Sequence, residues 1–146
     1  MKFGQMQMWP ESCRELALRG ADILVMSTAW GMLVGEQDPD TNVFADLYRL
    51  FDRARAAENH RWFVSSNFVG EFGGTNYIGL SQIVDPLGRV VATSGTTAPG
   101  LVLADIDVKG AMADANATFL GARLIRDRRD DTYLAARGAM PIAIDG

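Results

Sequence analysis

Four consecutive apolar residues, Ile23, Leu24, Val25 and Met26, restrict the fold of this sequence more than any other feature. A strand with one face in water alternates apolar and polar residues, whereas a strand covered on both faces is apolar throughout. Gly20 ends the segment before this run, and a loop rich in Gly, Asp and Pro follows it over residues 27–42, so the run has the length of a strand. The pattern therefore predicts a layer of structure on each side of this strand.

Helical patterns lie on both sides of the strand. Pro10 and Glu11 suit the first turn of a helix that ends before Gly20. A second helix is predicted after a cap formed by Asp40, Thr41 or Asn42. The apolar side of this helix carries Phe44, Leu47, Tyr48, Phe51 and Ala54. Its charged side carries Asp46, Arg49, Arg53 and Glu58.

Strand patterns dominate the middle of the chain, at residues 62–69, 77–84, 89–93 and 101–106. The sequence Asp85-Pro86-Leu87-Gly88 predicts a tight turn between the second and third of these strands, because proline presets the second turn position and glycine favours the fourth. Asp107 is a candidate cap for a last helix. We expect a single α/β domain over residues 1–146, with helices packed on one face of a layered sheet.

Composition excludes several function classes. The 146 residues carry 14 Lys and Arg against 18 Asp and Glu, a net charge of -4, so no basic field for nucleic acid is expected. With one cysteine and one histidine, neither an internal disulfide nor a zinc site can form, and no metal or other cofactor is expected. No apolar stretch approaches the ~20 residues of a membrane span, and the sequence fits a cytoplasmic protein.

Several blocks of the sequence, in order, resemble the nitrilase or carbon-nitrogen hydrolase superfamily, specifically the stretch that follows its nucleophile. These blocks are Trp9-Pro10-Glu11, Arg19-Gly20-Ala21-Asp22-Ile23-Leu24-Val25, Thr28-Ala29-Trp30, Arg53-Ala54-Arg55-Ala56-Ala57-Glu58-Asn59, Ser66-Asn67 through Gly70, Gly79-Leu80-Ser81, Asp85-Pro86-Leu87-Gly88 and Asp127-Arg128-Arg129 with Tyr133. The resemblance covers nearly the whole chain and implies the C-terminal half of such a domain.

Members of this superfamily hydrolyse nitriles, amides or carbamoyl groups with a Glu, Lys and Cys triad, in which the thiolate attacks carbon, the glutamate transfers protons and the lysine stabilises the anionic intermediate. The nucleophile lies six residues before the proline of the Phe-Pro-Glu-like step, and counting back from Pro10 reaches Gly4. The other two members lie upstream of the cysteine, and neither Lys2 nor Lys109 occupies the position of the family's lysine. The resemblance therefore implies no catalytic residues here and a chain that is silent alone.

Three residues remain as site candidates. Cys13 could supply a thiol in a rearranged site, although its helical position beside Leu16 and Ala17 favours simple burial. By the resemblance, Trp30 and Asn67 border the substrate pocket and would bind a small amide or nitrile. The alternatives are that Trp30 packs under the following loop and that Asn67 satisfies a strand end.

The resemblance implies a partial nitrilase-like sandwich: one mostly antiparallel or mixed β-sheet with helices on one face. The other face would then lack its layer, and we expect it to pack on a partner, either a second copy in a homodimer or a complementary N-terminal half. Three functions stay open: a catalytically silent domain, a hydrolase active when completed by such a half or through Cys13, and a small-ligand binding or association module.

Overall fold

The computed structural model describes residues 7–32, 38–95, 98–118, 120–129 and 132. The helices and strands of this part of the chain are α1 (Pro10–Leu18), β1 (Ile23–Thr28), α2 (Val43–Asn59), β2 (Trp62–Asn67), β3 (Val69–Phe72), β4 (Thr75–Ile78), β5 (Gln82–Val84), β6 (Val90–Thr93) and α3 (Val108–Thr118).

Four of the strands form a mixed sheet in the order β1-β2-β5-β6. Strands β1 and β2 are parallel and are joined through α2, whereas β2 pairs with β5, and β5 with β6, in antiparallel fashion. Strands β3 and β4 form a separate antiparallel hairpin. The mixed sheet with its helices is the predicted α/β architecture.

Local sequence signals set the helix ends. Pro10 occupies the first turn of α1 and Glu11 follows it at the positive end of the helix dipole. Asn42 caps α2, its side-chain oxygen accepting a hydrogen bond from the Phe44 backbone N–H at 2.9 Å. His60 ends α2 in the left-handed conformation, and Asp107 accepts a hydrogen bond from the Gly110 N–H at the start of α3.

The turn between β5 and β6 is confirmed. One carboxylate oxygen of Asp85 accepts hydrogen bonds from the backbone N–H groups of Leu87 and Arg89, both at 2.9 Å. Gly88 has a φ of +79°, and a Cβ at this position would lie 3.0 Å from the Arg53 carbonyl oxygen. Glycine is therefore needed here both for the turn and for the close approach of α2.

The core lies on one face of the four-stranded sheet, under α1 and α2. Helix α1 contacts β1, and α2 contacts β2 and β5. Strand register aligns Leu24, Phe63 and Val84 in one row across β1, β2 and β5, and all three side chains are buried. Because side chains alternate between the two faces of a sheet, this row fixes which residues point away from the helices.

The opposite face of the sheet carries a second apolar row, and no described helix covers it as α1 and α2 cover the first. Register aligns Val25 of β1, Val64 of β2, Ile83 of β5 and Ala92 of β6. The side chain of Val25 is 64% exposed, and the other three are partly buried. The sequence pattern predicts that β1 is covered on both faces. Among the described residues, the helices cover one of them. We call the row Val25, Val64, Ile83 and Ala92 the open face.

Three strand predictions differ from the structure. The segment predicted as one strand at 62–69 divides between β2 and the start of β3, and that predicted at 77–84 divides between β4 and β5, because the hairpin leaves the plane of the sheet between them. Residues 101–106 form no strand, although alternate residues are exposed as in a strand, with Leu101 and Leu103 at 82% and 76%. No neighbouring strand pairs with this segment within the described part of the chain.

The buried side of α2 is also rotated from the predicted one. Phe44 is 37% exposed, whereas Ala45, Tyr48, Asp52, Arg55 and Ala56 are buried. Hydrophobic periodicity places apolar residues in the core, and here a carboxylate and a guanidinium lie among them.

Candidate functional site

Strands β1 and β2 end side by side, because they are parallel and in register. Thr28 is the register partner of Asn67 at this edge, and Trp30 follows two residues after Thr28. The predicted site residues Trp30 and Asn67 therefore come together, as expected for residues at the carboxyl ends of adjacent parallel strands.

Asn67 joins three segments through its side-chain amide. Its oxygen accepts a hydrogen bond from the Trp30 N–H at 2.7 Å, and its nitrogen donates to the Gly79 carbonyl at 2.8 Å. Its backbone N–H donates to the Ser81 hydroxyl at 3.0 Å. The half-buried Trp30 ring makes edge contacts with Tyr48 and Phe51, with ring centroids 5.9 and 6.1 Å apart. Both residues have structural roles in the edge of the sheet, and substrate binding by them stays a prediction.

The β3–β4 hairpin lies against the same edge, which the sequence does not reveal. Backbone hydrogen bonds join Met32 N–H to the Asn76 carbonyl at 2.8 Å and Ile78 N–H to the Trp30 carbonyl at 3.2 Å. A Cβ on Gly31 would approach the Thr75 methyl group to 2.8 Å. The glycine after Trp30 thus permits the hairpin to pack against the segment that follows β1.

Cys13 is fully buried in the core beneath α1, in the same cluster as Leu24, Met26 and Tyr48. Burial raises the pKa of its thiol to about 11, although the positive charge of Arg55 opposes the shift. A nucleophilic cysteine needs the thiolate and access to substrate, and this position provides neither. Leu16, which we predicted to share its face, is 37% exposed.

The only lysine in the described residues, Lys109, lies far from the edge of the sheet formed by Trp30 and Asn67. Its ammonium group pairs with Asp22 at 2.6 Å, and Asp22 directly precedes β1, at the end of the strand opposite to Thr28. Gly4, the position of the family's nucleophile, and Lys2 lie outside the described residues. No group of three metal-ligating side chains occurs in the part of the chain that the structure describes.

A buried polar cluster lies between α2 and the sheet, and hydrophobic periodicity gives no sign of it. The fully buried carboxylate of Asp52 accepts hydrogen bonds from Gln7 Nε2 at 2.5 Å, Ser65 Oγ at 2.5 Å and Gln82 Nε2 at 2.7 Å. Burial raises the pKa of Asp52 to about 7, against the lowering effect of the hydrogen bonds from Ser65 and Gln82. The four side chains of the cluster are buried, so we interpret the cluster as structural, with a raised pKa at Asp52.

The same cluster fixes the segment that precedes α1. Arg55 Nε donates to the Gln7 carbonyl at 2.8 Å, and Gln7 Nε2 also donates to the Tyr48 carbonyl at 2.9 Å. Helix α2 therefore holds residue 7, three positions after the predicted nucleophile position, through both its side chain and its backbone.

Two open cavities lie elsewhere on the surface. The larger, of about 970 Å³, lies between α1 and residues 122–129 and is lined by charges of both signs, among them Glu11, Glu15, Arg14 and Arg123. The smaller, of about 480 Å³, lies between α2 and β6. Neither cavity is lined by Trp30, Asn67 or Cys13. No helix in the described segments is long and apolar enough to cross a membrane.

The described residues form a mixed α/β domain with helices over one face of its four-stranded sheet. The sequence model of the carbon-nitrogen hydrolase family matches residues 6–115. The chain belongs to the carbon-nitrogen hydrolase family, and the predicted superfamily resemblance is confirmed.

Relatives include both nitrilases and amidases. The chain is 32% identical over 114 residues to a probable nitrilase of Schizosaccharomyces pombe, covering 75% of this chain and 38% of the relative. It is 30% identical over 147 residues to an N-carbamoylputrescine amidase of Solanum tuberosum, covering 93% and 47%. A solved carbon-nitrogen hydrolase from Helicobacter pylori G27 superposes with a TM-score of 0.74 at 26% identity, covering 87% of this chain and 44% of that one. The chain thus spans less than half the length of these relatives.

Proposed function

We propose that this carbon-nitrogen hydrolase domain is catalytically silent by itself and acts by associating, through its open face, with a complementary half-domain. That half, supplied by the same or another polypeptide, would bring the second sheet of the sandwich. The observation that carries the proposal is the position of Cys13, because the chain's one thiol is buried in the core with a raised pKa.

The proposed silence rests on what the chemistry requires. Hydrolysis by the family's mechanism needs a thiolate, a carboxylate and an ammonium group around one carbon atom. Lys109 is paired with Asp22 at the far end of β1, while Cys13 faces the core under α1. Neither residue lies at the edge that Trp30 and Asn67 form.

Association is supported by the open face and by the segment at 101–106. Val25, at 64% exposure, is the first residue of an apolar row that crosses the four strands of the mixed sheet. Leu101 and Leu103 add exposed apolar side chains. Sheets that pack face to face interdigitate such rows. A complementary half is favoured over a second copy, because the Helicobacter pylori structure matches this chain with 44% of its length and so contains a comparable further portion.

Release of ammonia from a panel of amides and nitriles tests the silence of the chain. We expect no turnover from the purified protein, and a Cys13→Ala variant should give the same background. A control amidase in the same buffer shows that the assay works. Turnover that disappears in Cys13→Ala would overturn the proposal and favour a rearranged site that uses this thiol.

The association is tested at Val25. A Val25→Lys variant places a charge on the open face, where it would be buried by a partner sheet at a cost of several kcal/mol, while leaving it in water in the isolated chain. Val43→Lys is a matched control, because Val43 is 47% exposed at the start of α2.

Light scattering and binding of a hydrophobic dye read out the result. A monomer that binds the dye at the open face, with less binding after Val25→Lys and not after Val43→Lys, supports a face that awaits a separate half. A dimer that only Val25→Lys dissociates would assign the face to a second copy. A stable monomer that binds no dye would refute the open face as an association surface.

Two other functions are less well supported. A hydrolase completed by a complementary half would use a thiol, carboxylate and lysine brought by that half, and adding such a half in the ammonia assay tests it. A ligand-binding module at Trp30 would change tryptophan fluorescence on addition of small amides. The amide of Asn67 is already bonded to the Trp30 N–H and the Gly79 carbonyl, which favours association.

A further inference from the structure

Three arginines surround the smaller cavity, and its lining contains no carboxylate. Arg49, Arg53 and Arg89 line this space of about 480 Å³ together with Leu80, Gln82, Val90 and Thr93. We propose that this cavity, the arginine groove, binds a small organic anion through a carboxylate or phosphate group. This inference is independent of the proposed association, because the groove lies on the helix side of the sheet.

The fold brings the three guanidinium groups together from two elements. Arg49 and Arg53 are four residues apart on α2, so their side chains leave the helix on the same side. Arg89 follows the β5–β6 turn, and Arg53 Nε donates to the carbonyl of Gly88 in that turn at 2.9 Å. This bond fixes the guanidinium of Arg53, which lines the groove, through Nε and leaves its two terminal nitrogens available as donors.

The arginines retain donor capacity after their contacts within the chain. No described residue accepts a hydrogen bond from the terminal nitrogens of Arg53. Arg89 pairs through Nε with Asp85 at 2.6 Å, and its side chain is 74% exposed. Arg49 makes longer contacts with Asp46 and Asp40, at 3.2 and 3.3 Å.

Nearby carboxylates reduce the positive field of the groove without filling it. Asp85 is 7% exposed and is occupied by Arg89 and by two backbone N–H groups. Asp40 and Asp46 are 84% and 68% exposed, so water screens them. The anion would therefore meet three guanidinium groups whose counter-charges lie outside the lining.

The walls of the groove indicate the class of ligand. Guanidinium groups bind carboxylate and phosphate oxygens in paired hydrogen bonds. Buried Leu80 and the Val90 side chain add apolar wall, and Thr93 adds a polar atom. Gln82 also borders the cavity, but it is 2% exposed and its Nε2 is bonded to Asp52. The cavity volume falls in the range of small-molecule sites, roughly 300–1,000 Å³. A short organic anion fits this lining better than a bare inorganic ion.

Calorimetric titration with sodium succinate and with phenyl phosphate, at constant ionic strength, tests the proposal and distinguishes the two anion types. We expect saturable binding of at least one of them at millimolar concentration. An Arg53→Gln variant should weaken it by about tenfold or more, and Arg53→Lys should weaken it less, because the charge remains but the paired donors are lost. Inorganic phosphate serves as the comparison for a bare ion.

Arg19→Gln is the matched control, because it removes the same charge at the C-cap of α1, where Arg19 pairs with Glu15. Arg89→Gln provides a second test that keeps the bond from Arg53 to Gly88, and thermal unfolding verifies that each variant is folded. Absence of saturable binding by the wild-type protein would overturn the proposal. Equal weakening by Arg19→Gln and by the groove variants would also overturn it, because the effect would then reflect net charge alone.

Discussion

The buried carboxylate of Asp52 is expected to make the stability of this protein fall as the pH rises from acidic to neutral. The carboxylate is fully buried, and burial raises its pKa from 3.8 to about 7. The folded protein therefore holds the Asp52 proton more tightly than the unfolded chain does. The resulting stabilisation is fully present below about pH 4 and is lost as the pH rises through about 7.

The size of the effect follows from the two pKa values. One unit of difference corresponds to about 1.4 kcal/mol, so a carboxyl group shifted from 3.8 to about 7 contributes roughly 4 kcal/mol in all. More than half of this is lost between about pH 5 and pH 8, where the folded and unfolded states differ in protonation. That is a large share of the ~5–15 kcal/mol of net stability of an ordinary domain.

Urea unfolding followed by circular dichroism between about pH 5 and pH 8 measures the effect. Asp52→Asn keeps the size of the side chain and removes the titrating proton, so the wild-type minus variant free energy of unfolding should fall across this range. Asp114→Asn, at an exposed position of α3, removes an equal charge and is the control. A wild-type minus Asp52→Asn difference that stays constant with pH would refute the raised pKa.

Further predictions concern single side chains. Cys13 should react with iodoacetamide only at the rate of unfolding, because it is fully buried, and fast labelling of the native protein would contradict its placement. Asn42→Ala should lower the free energy of unfolding by about 1 kcal/mol through loss of the α2 cap, with Thr41→Ala as the neighbouring control, and equal effects would contradict the cap. Asn67→Ala should cost about 2 kcal/mol in urea unfolding, because it leaves the Trp30 N–H and the Gly79 carbonyl without their partner, and a change below about 0.5 kcal/mol would show that these bonds contribute little.

The sequence predicts the order of elements well, because its signals are local. Pro10 at the start of α1, Asn42 before α2 and Asp85 in the β5–β6 turn each satisfy backbone groups within a few residues. Such interactions depend on neighbours in the chain and can be inferred without the tertiary structure. The proximity of Trp30 and Asn67 was also accessible, since the family resemblance places both at the ends of adjacent strands.

Features that depend on distant residues are not predicted. From its position in the helical pattern of α2, Asp52 would be expected near the solvent-exposed side. It is buried because hydrogen-bond donors from residues 7, 65 and 82 bind its carboxylate. The β3–β4 hairpin depends on the contact of Gly31 with Thr75, 44 positions along the chain. The arginine groove likewise combines α2 with the β5–β6 turn, whereas the sequence pattern assigns Arg49 and Arg53 simply to a solvated surface.

The open face connects the stability of this domain to its association. Val25 on this face, at 64% exposure, leaves apolar surface in water, and covering it would stabilise the domain by about 25 cal/mol for each Å² removed. A few hundred Å² of such surface corresponds to several kcal/mol, which is comparable with the whole net stability of a small domain. By mass action, a partner that covers this face should raise the melting temperature in proportion to the logarithm of its concentration above the dissociation constant. Thermal unfolding with increasing amounts of a candidate half therefore measures binding and stability in one experiment, and a melting temperature that never moves would exclude that candidate.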